Sequence, residues 1–271
     1  MTDVPREIVG HYTDEVDEGE RITQGLGELE RLRVQEVVRR HLPASGSLRI
    51  LDVGGGTGVH ARWLAADGHS VHLVDPVPRH VEQAALLDGV TSELGDARSL
   101  ATEDASFDAV LLFGPLYHLV AREDRLLALR EAARVVRPGG PVFAAAISKF
   151  ASLFDGLARG LLFEPGFPEI VERDLREGEH RNPDHLPHRF TTAHFHHPDD
   201  LRGEGAEAGL QVLELVGVEG LAGWLPQLEQ RWADPDTRDL ILHSARAVES
   251  EPTLQALSAH LVLVARRSLD M

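Results

Sequence analysis

The chain has no cysteine among its 271 residues, which excludes disulfides, thiolate nucleophiles and cysteine metal centres and leaves the redox compartment open. Lysine is nearly absent too: Lys149 stands alone beside 26 arginines. A Gly-Lys-Ser/Thr phosphate loop is therefore excluded, because no lysine adjoins a glycine-rich turn. Basic blocks are missing as well. With 27 basic against 44 acidic residues the formal charge is -17, which repels phosphate backbones and anionic lipid, so neither nucleic acid nor a membrane is an expected partner. No apolar run reaches the roughly 18 residues that a membrane-spanning helix needs, and the acidic amino-terminal segment lacks a signal-peptide core. A cytoplasmic protein is expected.

What is present is a regular alternation. "LRILDV", "SVHLVD", "VTSELGD", "FDAVLLF" and "PVFAAAI" read as strands, and amphipathic helical stretches separate most of them. Alternation of this kind predicts an α/β fold, a mostly parallel sheet with helices on both faces and ligands beyond the carboxyl ends of its strands. A helix over 28–42 precedes the first strand. After Ile147 the rhythm breaks, and Phe150, Leu153, Phe154, Leu157, Leu161, Leu162 and Phe163 predict an inserted helical cap that roofs a pocket or meets a second subunit. A helix after "HHPDD" and the strands "LQVLELVGVEG" and "SAHLVLVARR" complete a seven-stranded sheet. The expected division is 1–43 as lid and helix, 44–147 as ligand-binding core, 148–197 as cap, and 198–271 as the rest of the sheet with a helical insertion.

The stretch "LDVGGGTG", after the first strand, carries glycines at 54, 55, 56 and 58. A dinucleotide fingerprint, Gly-x-Gly-x-x-Gly, is met only in its alanine variant, from Gly56 through Gly58 to Ala61. An NAD-dependent oxidoreductase is thus an alternative, although Tyr117 is followed four residues later by Ala121 and not by the lysine of a Tyr-x-x-x-Lys pair. Gly54-x-Gly56-x-Gly58, with Asp52 on the first strand, Asp75 ending the second and Asp96 ending the third, resembles the class I S-adenosylmethionine-dependent methyltransferases of small-molecule type. The resemblance covers nearly the whole chain.

It implies a Rossmann-like sheet with an amino-terminal helical lid, S-adenosylmethionine as cofactor, S-adenosylhomocysteine as product, and in-line methyl transfer to a small organic acceptor by a monomer or homodimer. The glycines would admit the methionine part of the cofactor, which a Cβ would obstruct. Asp75, followed by Pro76, would accept from the ribose hydroxyls, and Asp96, followed by Ala97, from the adenine amino group. Phe113 and Gly114 in "FDAVLLFGPLYHL" would lie under the cofactor, and in "HYTDEVDEGERI" Tyr12 would cover it and Arg21 would reach its carboxylate. His118 is the candidate base or acceptor contact. His194 and His196 share one face of an extended segment, a metal-compatible spacing, but with no cysteine and no evident third ligand no metal is expected. A non-catalytic member of the same fold that binds proteins through its acidic surface is the remaining alternative.

Overall fold

The computed structural model describes residues 25–44, 46–182 and 190–269. Its centre is set by five strands, β1 Arg49–Val53, β2 Ser70–Asp75, β3 Val90–Leu94, β4 Ala109–Leu112 and β5 Pro141–Ser148, of which β4 and β5 are buried on both faces and β3 is the more polar, partly exposed one. They pair in parallel in the order β3-β2-β1-β4-β5. The order reverses between β1 and β4, and that reversal opens a crevice beyond their carboxyl ends. Helices α1 Gly25–His41, α2 Val59–Ala66, α3 Pro78–Ala84, α4 Pro115–His118 and α5 Arg122–Val135 fall before and between these strands. Because side chains alternate along a strand, Leu51 and Val53 of β1 join one core layer with Leu129 and Ala132 of α5. Ile50 joins the other layer, with Val37 and Val38 of α1 and Leu64 of α2.

The insertion begins with α6 Ala151–Arg159 and continues through a 3-10 turn, Leu161–Phe163, to α7 Phe167–Glu177. The apolar stretch is thus broken at Gly160, whose φ of 80° ends α6, and it turns part of its apolar surface outward, with Phe163 82% exposed. Two short strands follow, β6 Glu179–His180 and β7 Ala193–His196. After α8 Pro198–Glu207 comes β8 Leu210–Gly217, then α9 Leu228–Trp232, α10 Pro235–Val248 and β9 His260–Arg267. β9 runs antiparallel beside β5, and β8 pairs with β9.

The described residues therefore hold nine strands, where the sequence reading gives seven. The two extra strands are β6 and β7, too short and too rich in histidine to stand out by alternation. Pairing with the main sheet creates them. β4 lines β5 as far as Ala144, and beyond that point β7 takes its place on the same strand, opposite Ile147 and Ser148. The insertion is in this way stitched into the sheet above the carboxyl end of β4. Among the described residues no helix is long and apolar enough to cross a membrane.

Candidate cofactor and acceptor site

The loop between β1 and α2 bends through left-handed backbone at Gly54, Gly56 and Gly58, with φ of 70°, 55° and 86°. At two of these a side chain would meet a neighbour, the rigid ring of Pro115 at Gly54 and the movable tip of Leu87 at Gly58. A Cβ at Gly54 would come 2.6 Å from Cδ of Pro115, and one at Gly58 would come 2.5 Å from Cδ1 of Leu87. Gly56 differs, because a Cβ there would meet nothing within 4 Å. The crest of the loop is open. On its β4 side, Gly114 has a φ of 133° and a Cβ there would lie 3.1 Å from the carbonyl oxygen of Gly54, so the loops after β1 and β4 touch backbone to backbone. Phe113 is buried with its ring edge-on to His60 at 4.9 Å.

Asp75, at the end of β2, ties this crest down. Its Oδ2 accepts from the Gly56 N–H at 2.9 Å, and its Oδ1 accepts from the Val77 N–H at 2.9 Å and from Nδ1 of His80 at 3.0 Å. Asp52 lies beneath the same loop, fully buried, and neither of its oxygens meets a donor. Burial and the neighbouring charge of Asp75 push its carboxyl up to about 7. Asp96, just past β3, sits in a clamp: Arg98 reaches Oδ1 with Nε at 3.0 Å and Oδ2 with a terminal nitrogen at 2.7 Å, while a second terminal nitrogen holds Asp124 at 2.9 Å. Pro76 and Ala97 follow these two acids in the chain.

Tyr117 and His118 stand on α4, the turn that continues from Gly114. The His118 ring stacks on Phe190 with centroids 6.0 Å apart and meets Tyr117 edge-on at 4.7 Å. Tyr12 and Arg21 lie outside the described residues. The rings of His194 and His196 meet edge to face at 4.5 Å, and Glu204 of α8 brings a third possible ligand within 4.8 Å of them. The sequence does not point to Glu204. Its carboxylate is, however, already taken by Arg125, whose nitrogens lie as close as 2.7 Å, and by Nε2 of His196 at 3.2 Å. Burial acts to raise Glu204, but these hydrogen bonds hold it down at about 2. Burial, with His196 and Arg125 adding to it, pushes His194 down to about 3. The cluster is thus a buried ion pair with neutral imidazole beside it, tying α5, β7 and α8 together.

His80, Arg98 and Phe190 are the side chains at this end that sequence reasoning misses. Arg98 carries a local signal, two residues after Asp96 in "GDAR", and His80 sits in the first turn after Asp75. Phe190 is brought in by the fold alone.

Residues 50–140 match the family described as a methyltransferase domain. The chain is also 30% identical over 200 residues to a ubiquinone biosynthesis O-methyltransferase of Azorhizobium caulinodans, across 68% of this chain and 70% of that one. The chain belongs to the class I S-adenosylmethionine-dependent methyltransferases. S-adenosylmethionine is accordingly the cofactor of this methyltransferase. It is 31% identical over 161 residues to methyltransferase GfsG of Streptomyces halstedii, covering 52% of this chain and 57% of that relative's length. An S-adenosylmethionine-dependent methyltransferase of Mesorhizobium loti shares the fold, with a TM-score of 0.59 over 88% of this chain and 100% of that one at 20% identity.

Proposed function

We propose that the methyltransferase moves a methyl group from S-adenosylmethionine to a small organic acceptor. The observation that carries this reading is the open crest at Gly56, hydrogen-bonded to Asp75, in a loop whose Gly54 adjoins Gly114 at the switch point of the sheet. When bound, S-adenosylmethionine supplies a methyl group on a sulfonium. Gly54, Gly56 and Gly58 shape the backbone against the methionine part, and Asp75 with Pro76 receives the ribose hydroxyls. Asp96, steadied by Arg98, takes the adenine amino group beside Ala97. Phe113 and Gly114 form the floor, and Asp52 sets negative charge under the loop when it is ionised. Displacement at a methyl group needs alignment and exclusion of water above all, and these residues serve both.

The stitched insertion above β4 favours a small acceptor over a macromolecule, and the charge of -17 disfavours nucleic acid. His118, stacked on Phe190, is an acceptor contact in this reading. The Azorhizobium relative, an O-methyltransferase of ubiquinone biosynthesis by name, is consistent with it.

Thermal unfolding with S-adenosylhomocysteine and, separately, with NAD tests the assignment. At about 100 times its dissociation constant a ligand adds roughly 2.7 kcal/mol, a shift of several degrees. Stabilisation by S-adenosylhomocysteine alone is expected, and stabilisation by NAD alone would overturn the reading. Two alanine substitutions sharpen the test. Gly56→Ala meets no atom, so it should cost only the left-handed strain of about 1–2 kcal/mol while lowering S-adenosylhomocysteine affinity by about tenfold or more. Gly54→Ala adds the collision with Pro115 to the same strain and should lower the melting temperature further. Calorimetric titration and thermal unfolding separate the two, and unchanged affinity in Gly56→Ala would count against the crest as the cofactor's seat.

A further inference from the structure

A buried carboxylate and a buried imidazole in the insertion have no part in the assignment above. Asp174, in the last turn of α7 and fully buried, accepts at Oδ2 from Oγ of Ser152 at 2.6 Å and from Nδ1 of His180 at 2.9 Å. His180, on β6, is 3% exposed, and its Nε2 meets no hydrogen-bond partner. A carboxylate at Nδ1 fixes the proton on that nitrogen and leaves Nε2 as a lone pair. Burying that lone pair without a donor costs free energy, and a ligand hydroxyl at Nε2 would offset the cost.

The topology brings this ring to the acceptor end of the crevice. β7 occupies the edge of β5 beyond the last residue of β4, and β6 pairs with β7 through His180 and Ala193. β4 itself leads directly into Gly114, Tyr117 and His118. One aromatic ring joins the two groups, since the Phe190 centroid lies 6.4 Å from His180, 6.3 Å from Tyr117 and 6.0 Å from His118. Phe195 stacks on His180 at 4.9 Å and fixes its plane. The titratable groups around the ring are Asp174 on α7, His194 on β7, and Tyr117 and His118 across Phe190.

We propose that His180 is the general base of the methyl transfer, positioned by Asp174, and that the acceptor is a hydroxyl compound, a phenol or an enol. This rests on the methyltransferase reading. A carboxylate acceptor needs no base and a neutral amine attacks before it loses a proton, whereas a hydroxyl gains most from losing its proton as the new bond forms. The hydroxyl proton passes to Nε2, an oxygen electron pair forms the bond to the methyl carbon, and the carbon–sulfur bond breaks with its pair left on sulfur. His180, then an imidazolium beside the Asp174 carboxylate, returns the proton to water.

The test compares the wild-type protein with His180→Gln and Asp174→Asn, using catechol and aniline as acceptor probes and S-adenosylhomocysteine as the binding probe. In the wild type, the nitrogen-15 spectrum of His180 should show a proton on Nδ1 and none on Nε2 near neutral pH, and catechol should be methylated. In His180→Gln, kcat for catechol should fall by about 100-fold or more, with its KM within about threefold and S-adenosylhomocysteine affinity within about twofold of wild type. Asp174→Asn should lower kcat by about tenfold and move the His180 proton toward Nε2, a change that a merely structural role would not produce. The proposal is overturned if His180→Gln keeps more than about a third of wild-type kcat, if wild-type Nε2 carries the proton, or if the wild type methylates aniline and not catechol. It is overturned equally if the wild type binds S-adenosylhomocysteine and methylates neither probe. Failure of the wild type to bind S-adenosylhomocysteine would instead remove the methyltransferase reading beneath it.

Discussion

Asp75→Ala should weaken S-adenosylhomocysteine binding by more than about 100-fold. Asp75 acts in two ways in the proposed site, and alanine removes both. Its carboxylate organises the loop, because the Gly56 and Val77 N–H groups and His80 all converge on it. In the proposed reading it would also accept from the ribose hydroxyls, and hydrogen bonds to a charged group contribute about 1.5–3 kcal/mol each. Two such bonds amount to at least about 3 kcal/mol, and about 1.4 kcal/mol is tenfold in affinity. Asp75→Asn separates the effects poorly, since an amide NH2 would face donors already there. Titration calorimetry well below the melting temperature, with circular dichroism to verify folding, is the measurement. A dissociation constant within about threefold of wild type would mean that the ribose binds elsewhere.

The parts of this site that the sequence discloses are those built from neighbours in the chain. The loop glycines follow a strand that the apolar run marks, and Asp75 ends β2 where the run of β-forming residues stops, whereas Asp96 stands two residues past the end of β3 at Leu94. Residues that neighbour one another at successive strand ends are legible in this way. Arg125 and Glu204 are not, because 79 residues separate them and only the packing of α5 against α8 makes the pair. His180 is hidden for a similar reason. Its histidine-rich segment has no alternation to mark a strand, and β6 exists only because β7 has β5 to pair with. The third ligand type beside His194 and His196 comes from α8, a different element, and Arg125 comes with it.

Asp52→Asn should stabilise the cofactor-free protein at pH 8 and leave it nearly unchanged below pH 4, once the cost of the amide itself is subtracted. Folding raises the Asp52 carboxyl from its ordinary 3.8 to about 7, chiefly by burial and then by the charge of Asp75. A raised value means that the folded state holds a proton which the unfolded chain has released between these limits. Stability contributed by Asp52 is therefore fully present below about pH 4 and is lost as pH rises through 7. At about 1.4 kcal/mol per unit the full loss is slightly more than about 4 kcal/mol, roughly ten degrees in a chain of this size. Asparagine keeps the shape and cannot ionise, so melting temperature should fall less from pH 5 to pH 8 in the variant than in the wild type. S-adenosylmethionine bound at the proposed site would bring positive charge above the loop and favour the ionised carboxyl, so its binding near pH 7 should release a proton from the wild type and none from Asp52→Asn. Calorimetry in buffers of differing ionisation enthalpy counts that proton. Equal release by both proteins would place the titrating group elsewhere, and parallel melting profiles would show that Asp52 is already ionised in the folded protein.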